Sequence, residues 1–279
     1  MIGVGIVSFN RPYYLRRLLK SLMAQTELDN AEFHLLQDGA VNMFSKKRRA
    51  QEFDIGACVK LFDQARLPSK LVHRQEHNVG VGINQREGIG WLSETYERIM
   101  IIEDDVLLSP HWLRLARILF DEMETQPDVF GFSPGFRRMC DMGDSYPNMG
   151  YMEQTKQHLW TECFTAQNWW RIQEHMAPFY ALIADCDYNY RPRETISALH
   201  LGRGAPKGDT SQDWARVVAI ELSGMQRMQC TVNRGFSIGR TGINFNNSYY
   251  EGLHLGEQAP YIFDDDATRE GFEWLVPQN

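Results

Sequence analysis

The sequence predicts an α/β fold in which a mostly parallel, doubly wound central sheet is flanked by helices and followed by a C-terminal subregion. Short apolar runs alternate with segments in which apolar residues recur every three or four positions, as in strands and helices. Residues 99–102 are continuously apolar, as expected for a central strand covered on both faces. Such an alternation gives a parallel sheet, and ligands of such sheets bind beyond the carboxyl ends of the strands.

The first 110 residues show the clearest alternation. Predicted strands cover residues 3–9, 33–36, 71–73 and 99–102. Predicted helices cover residues 14–23, 43–66 and 84–97. A fourth helix is expected to begin at Ser109-Pro110, with Ser109 as the N-cap and Pro110 at the first helical position.

The second half of the chain is less regular. We expect a strand over 129–133, a long connection over 137–160, helices over 165–184 and 212–223, and a loop over 192–208. The sequence after residue 242 has low periodicity. We therefore predict one domain over residues 1–242, made of the halves 1–110 and 111–242, and a tail over residues 243–279.

The composition excludes several classes of protein. The 29 basic and 36 acidic side chains give a net charge of −7, so the chain lacks the basic surface that a general nucleic-acid binder needs. No run approaches about 18 consecutive apolar residues, so no transmembrane segment is predicted. The N-terminus lacks signal-peptide features, and the five cysteines are far apart without a CxxC pair. We expect a soluble cytoplasmic protein, and peripheral membrane contact stays open.

The strongest chemical signal is an acidic triplet, Glu103-Asp104-Asp105, directly after the apolar run 99–102. Adjacent carboxylates repel one another, and a bound cation offsets that repulsion. Hard oxygen ligands of this kind suit Mg²⁺ or Mn²⁺, which are commonly shared with the phosphates of a substrate. A solvated acidic turn is the alternative. The position at the end of a buried strand favours the metal site.

Other candidates follow predicted strands, open a helix or lie in the tail. Arg11 could meet a diphosphate or a base edge, or lie on a simple surface turn. Asp38 could accept hydrogen bonds from a base or ribose, or form a turn before Gly39. Asp213 is either a general base or a first-turn carboxylate favoured by the helix dipole. His254 could complete a metal or diphosphate site, and a structural histidine is the alternative.

Three segments follow one another along the chain: Ser8-Phe9-Asn10-Arg11-Pro12, Leu35-Leu36-Gln37-Asp38-Gly39 and Ile102-Glu103-Asp104-Asp105-Val106. In this order they resemble the nucleotide-sugar-dependent glycosyltransferases of the GT-A fold. The similarity is closest to the N-acetylglucosaminyltransferase I-like family, and it covers about residues 3–242. That family has Asp-Asp-Trp where this chain has Gln212-Asp213-Trp214, so the first acid of the pair is replaced. Family two glycosyltransferases share the N-terminal half nearly as well.

The resemblance implies a metal-dependent, inverting transfer of a sugar from a UDP-sugar to a hydroxyl of a glycan or other acceptor, with UDP-GlcNAc slightly favoured. Residues 1–110 would bind the nucleotide sugar, and residues 111–242 would form the acceptor side. Asp105 would bind Mn²⁺ or Mg²⁺, with Asp104 and His254 as further candidate ligands. The nucleotide sugar would contact a set of polar residues: Ser8, Asn10, Arg11, Asp38, Asn84, Glu103 and Asp104.

The resemblance also implies the acid–base group. Asp213 would take the proton of the acceptor hydroxyl as general base, and Glu162 is the reserve candidate. The tail from Gly242 would close over the donor as a lid. Two alternatives stay open: a non-catalytic glycan- or nucleotide-binding protein on a decayed transferase fold, and a sugar-nucleotide pyrophosphorylase. The second needs a Gly-rich basic loop where this chain has Phe9-Asn10-Arg11-Pro12.

Overall fold

A computed structural model describes most of the chain, namely residues 1–136, 151–156, 160–242, 248, 251 and 273–275. Its strands are β1 Ile2–Ser8, β2 Ala31–Gln37, β3 Lys70–Arg74, β4 Arg98–Glu103, β5 Val106–Leu108, β6 Val129–Ser133, β7 Tyr151–Thr155, β8 Thr161–Thr165, β9 Gln226–Cys230, β10 Gly235–Ser237 and β11 Glu273–Leu275. Its α-helices are α1 Pro12–Met23, α2 Glu52–Gln64, α3 Val81–Thr95, α4 Trp112–Met123, α5 Ala166–Arg171, α6 Gln173–Ile183, α7 Arg193–Gly202 and α8 Gln212–Leu222.

A single large sheet organises the described residues. Its nine strands lie in the order β11-β7-β9-β6-β8-β4-β1-β2-β3, and β5 pairs with β10 in a separate two-stranded sheet. Strands β4, β1, β2 and β3 are parallel, as are β6 and β9. Strand β8 is antiparallel to both β4 and β6, which leaves β4 and β6 pointing the same way. The predicted α/β fold with a mostly parallel central sheet is therefore confirmed.

Helices cover both faces of this sheet because its central strands are apolar on both sides. Every residue of β1 is buried. On one face, β1 packs through Val4 and Ile6 against helices α1, α2 and α4. On the other face, Val7 and Ile101 pack against helices α3, α5, α6 and α8. Burial on both faces is the reason that the run 99–102 reads as continuously apolar.

Two predicted helices begin later in the structure than expected. Of the helix expected over 43–66, only α2 is helical. At the start of that range, Oδ1 of Asn42 accepts hydrogen bonds from the backbone N–H groups of Phe44 and Ser45, and these bonds hold a turn in place of a helix. Ser109 is not an N-cap. Its carbonyl accepts from the N–H of Trp112, and α4 begins only at that tryptophan.

The second half contains more regular structure than predicted. Helix α7 occupies most of the expected loop over 192–208, because Ile196 and His200 lie one turn apart and are both buried. Strand β7 lies in the expected long connection over 137–160. The expected helix over 165–184 is two helices, α5 and α6.

Part of the predicted tail belongs to the sheet. Strand β11 pairs in parallel with β7 at one edge. His254 and most of the remaining tail, proposed as a lid, lie outside the described residues. Within the described part of the chain, every helix is too short or too polar to cross a membrane.

Candidate functional site

The candidate residues meet at the carboxyl edge of the central sheet. The register aligns Val7 of β1 with Glu103 of β4, so the residues that follow these two strands leave the sheet side by side. Asp38 follows the parallel strand β2 at the same edge. Helix α8 precedes β9, which is parallel to β6, so its first turn with Asp213 also begins at this edge. The close approach of helices α3 and α8 supports this, because a β-carbon on Gly82 would lie 3.6 Å from that of Gln212.

The acidic turn lies between β4 and β5. Its two aspartates, Asp104 and Asp105, are 2% and 5% exposed. The antiparallel pairing of β5 with β10 brings the segment after β10 against this turn, and the N–H of Ile238 donates to the carbonyl of Asp105 at 2.8 Å. Glu103 is only half-buried, and its N–H donates to the carbonyl of Trp160. The turn is therefore a packed structure, which argues against a solvated acidic loop.

Arg11 holds the acidic turn. Its Nη1 lies 2.7 Å from Oδ2 of Asp105, and its Nη2 pairs with Oδ1 of Asp104. Burial disfavours the charged form of Arg11, but the neighbouring carboxylates outweigh burial and raise its pKa. Burial raises the pKa of Asp104 to about 7, against the opposing effect of Arg11. One guanidinium thus pairs with two buried carboxylates and offsets part of their charge.

The donor set suits a divalent cation shared with a substrate. Oδ1 of Asp105 is buried and has no hydrogen-bond partner among the described residues. Over residues 1–136, 151–156 and 160–242, no three His, Cys, Asp or Glu side chains converge as a complete metal cage. Mg²⁺ and Mn²⁺ sites commonly use one or two carboxylates and complete their shell with substrate phosphates and water. Asp104 and Asp105 therefore fit such a cation.

Other residues predicted to contact the nucleotide sugar also lie at this edge of the sheet, and two of them make hydrogen bonds inside the protein. The Ser8 hydroxyl donates to Gln37 at 3.0 Å, and the Asn84 amide donates to the carbonyl of Leu36 at 3.0 Å. Asn10 is half-buried at the end of β1. These bonds fix the positions of β1, β2 and α3 relative to one another.

Asp38 organises the loop after β3. Its carboxylate accepts hydrogen bonds from the backbone N–H groups of Gly39, Val79 and Gly80 and from the side-chain amide of Asn78. Burial raises the pKa of Asp38 to about 7, although these donors favour the ionised form. Both carboxylate oxygens are engaged inside the protein, so the structure supports the turn-forming alternative for this residue.

Glu162 and Asp213 have different surroundings. Glu162 is 2% exposed, and its carboxylate pairs with Arg216 at 2.8 Å and with Arg227 at 3.4 Å. The Glu162 carboxylate is therefore engaged by two guanidinium groups inside the protein. Asp213 is half-buried in the first turn of α8, and its Oδ2 accepts from the Gln212 side chain at 3.0 Å. Asp213 therefore suits the base role better than Glu162.

Two site contacts have no clear sequence signal. The Tyr188 hydroxyl bonds to both the side chain and the backbone N–H of Gln212, which fixes the start of α8. The carbonyl of Thr241 accepts from Nη1 of Arg11 at 3.3 Å. Both contacts join segments that are far apart in sequence, so residue spacing could not reveal them.

No protein-family model matches this chain, and no curated protein matches its sequence. Solved structures do match. S. aureus TarS in complex with UDP-GlcNAc is 15% identical, with a TM-score of 0.51 over 94% of this chain and 61% of that one. The fold is GT-A. The mannosyltransferase PcManGT from Pyrobaculum calidifontis, in complex with GDP-Man and Mn²⁺, is 12% identical over 80% of this chain and 73% of that one, with a TM-score of 0.41.

The GT-A fold of this chain agrees with the broad resemblance found in the sequence. The narrower similarity to the N-acetylglucosaminyltransferase I-like family stays a prediction. The chain spans between 37% and 61% of the length of the TarS chains that it matches. At this level of identity the likeness concerns the fold, and activity has to be argued from the site.

Proposed function

We propose that this chain is a glycosyltransferase that moves a sugar from a UDP-sugar to a hydroxyl group of a glycan or other acceptor, with the help of Mn²⁺ or Mg²⁺. The observation that carries the proposal is the pair of buried carboxylates, Asp104 and Asp105, at the carboxyl edge of a GT-A sheet. Arg11 and Asp213 lie at the same edge. Arg11 would be a positively charged group for the diphosphate, and Asp213 would be a base for the acceptor.

The donor side uses the acidic turn and its surroundings. Asp105 and Asp104 would hold the cation, which when bound would stabilise the charge of the departing diphosphate. Arg11 would add a guanidinium that matches phosphate oxygens. TarS, which shares the fold, has been crystallised with UDP and with UDP-GlcNAc, and this supports a UDP-sugar as donor. Glu103, only half-buried beside this turn, would contact the ribose or sugar.

The acceptor side uses Asp213. Its carboxylate accepts the proton as the acceptor oxygen attacks the anomeric carbon. The new carbon–oxygen bond forms on the face opposite the bond to the diphosphate, which leaves with the bonding electron pair. One displacement of this kind inverts the anomeric configuration. The Gln212 amide donates to Oδ2 of Asp213 at 3.0 Å, which helps to orient the carboxylate towards the acceptor.

A thermal-shift screen with Mn²⁺ tests the proposal. UDP-GlcNAc, UDP-Glc, UDP-Gal, UDP-GalNAc and GDP-Man are compared at equal concentration. A UDP-sugar present at about 100 times its dissociation constant should stabilise the chain by about 2.7 kcal/mol. Release of UDP from the stabilising sugar then separates an enzyme from a binding protein. Stabilisation by none of the four UDP-sugars, or release of UTP when pyrophosphate is added, would contradict the proposal.

A further inference from the structure

The guanidinium of Arg11 lies against the carboxylates that would hold the cation. It contacts Asp105 at 2.7 Å and pairs with Asp104, and its side chain is 23% exposed. Because Arg11 follows β1 and the aspartates follow the neighbouring strand β4, the parallel register brings these opposite charges together. Arg11 therefore offsets part of the carboxylate charge, as a bound cation would.

Arg11 is supported from the segment after β10. Its Nη1 also donates to the carbonyl of Thr241 at 3.3 Å. Tyr14, on the first turn of α1, bonds to the Thr241 hydroxyl at 3.3 Å and accepts from the N–H of Arg240 at 3.1 Å. Arg11 is therefore contacted by the Thr241 carbonyl, and Tyr14 of α1 fixes residues 240–241 beside it.

We propose that Arg11 is an exchangeable internal cation that keeps a divalent metal ion off Asp104 and Asp105 until a nucleoside diphosphate binds. The diphosphate draws the guanidinium away from the carboxylates, and the metal ion takes its place. Metal and nucleotide then bind together, and each binds weakly alone. This inference rests on the proposed function, because it assumes the same metal and nucleotide site.

Two physical arguments support the exchange. A guanidinium and a divalent ion repel each other strongly at a few ångströms in a partly buried site. Oδ1 of Asp105 is buried without a described hydrogen-bond partner, so an incoming ion has an acceptor there that Arg11 does not use. Planar guanidinium groups bind phosphate oxygens in a bidentate manner. A diphosphate therefore offers Arg11 a negatively charged partner in place of the two carboxylates.

The test is a titration of the full chain with Mn²⁺, monitored by the electron paramagnetic resonance of the free ion, with and without UDP. For Arg11→Gln without UDP, we expect Mn²⁺ affinity to rise about tenfold, equal to about 1.4 kcal/mol. With Mn²⁺ present, the same variant should lose about tenfold in UDP affinity, equal to about 1.4 kcal/mol. The matched control is Arg16→Gln, which removes the same charge from an exposed position of α1 and should change neither affinity.

The outcomes separate the two claims. If Arg11→Gln binds Mn²⁺ no more tightly than the wild-type chain, while the wild-type chain binds UDP with Mn²⁺, the exchange is wrong and the proposed function stands. If the wild-type chain does not bind UDP in the presence of Mn²⁺, the exchange and the proposed function are both wrong. Arg11→Lys keeps the charge and serves if the Gln variant does not fold. A lysine reaches only one of the two carboxylates at a time, so it should block the metal ion less well than arginine does. A rise in the Mn²⁺ affinity of Arg11→Lys without UDP supports the exchange, and no change or a fall overturns it.

Discussion

Gly239 packs directly against Asp105. A β-carbon on residue 239 would overlap Oδ2 of Asp105, the same oxygen that pairs with Arg11. Ile238, the residue before it, donates its N–H to the carbonyl of Asp105. The segment after β10 can therefore cover the acidic turn only because residue 239 lacks a side chain.

Replacing Gly239 should damage the site. Gly239→Ala forces either Asp105 or the covering segment to move, so we expect a loss of stability of about 1–3 kcal/mol and weaker Mn²⁺-dependent UDP binding. Urea unfolding and calorimetric titration measure the two effects. Gly56→Ala is the control, because a β-carbon there meets open space in α2 and should add about 0.5–1 kcal/mol of stability. Unchanged UDP affinity in Gly239→Ala would show that the covering segment is unimportant for the site.

Asp213 should matter for transfer and not for donor binding. Asp213→Asn keeps the shape of the side chain and removes the base, so the transfer rate should fall at least about a hundredfold. The affinity for UDP with Mn²⁺ should stay within about twofold, because a change below 0.5 kcal/mol is expected for a group outside the donor site. The control is Asp185→Asn, at an exposed position before Asp187. A fully active Asp213→Asn enzyme would exclude this residue as the base.

Glu162 should matter for stability. Glu162→Gln leaves the buried Arg216 and Arg227 without their shared carboxylate, which should cost about 3–5 kcal/mol in the free energy of unfolding. Urea unfolding measures this loss, and Glu94→Gln, at an exposed position of α3, is the control. If Glu162→Gln abolished transfer with normal stability, Glu162 and not Asp213 would be the base.

A histidine in the sheet should make stability depend on pH. Burial and the neighbouring His73 lower the pKa of His34 from 6.5 to about 4. Tyr96 donates its hydroxyl proton to Glu32, so its oxygen accepts from Nε2 of His34, whose Nδ1 then accepts from His73 at 2.9 Å. A second proton on His34, at Nδ1, would require His73 to change from donor to acceptor in this chain of hydrogen bonds.

Because the pKa of His34 is lowered on folding, its contribution to stability is present above about pH 6.5 and is lost as the pH falls towards 4. The expected loss is up to about 3 kcal/mol across that window. Urea midpoints measured at several pH values should fall less steeply in His34→Gln than in the wild-type chain. His77→Gln, at an exposed position, should keep the wild-type slope. Equal slopes in all three proteins would contradict the account.

The sequence was informative where burial leaves a periodic pattern. Strand β4 is covered on both faces, so its apolar run and the acidic residues after it located the acidic turn correctly. The alternation of strands and helices in the first half also predicted the parallel sheet. Helix α7 was not predicted, because only Ile196 and His200 are buried along it and the nearby glycines indicated a loop.

Contacts between distant segments could not be predicted. The pairing of Arg11 with Asp105 depends on β1 lying beside β4, which the order of elements does not fix. The pairing of Glu162 with Arg216 depends on β8 running antiparallel between β4 and β6. Both relations follow from strand order, and a single sequence carries no direct record of strand order.

The most direct test of the central claim is calorimetric titration of UDP into the wild-type chain and into Asp105→Asn, each with and without Mn²⁺. The proposed site predicts that Mn²⁺ strengthens UDP binding in the wild-type chain. With Mn²⁺ present, Asp105→Asn should lose about a hundredfold in UDP affinity, equal to about 2.7 kcal/mol. Without Mn²⁺, the UDP affinity of this variant should change little. Asp63→Asn, at an exposed position of α2, should behave as the wild-type chain does. Equal UDP affinity in the wild-type chain and Asp105→Asn in the presence of Mn²⁺ would contradict the claim that the acidic turn holds a metal-bound nucleotide.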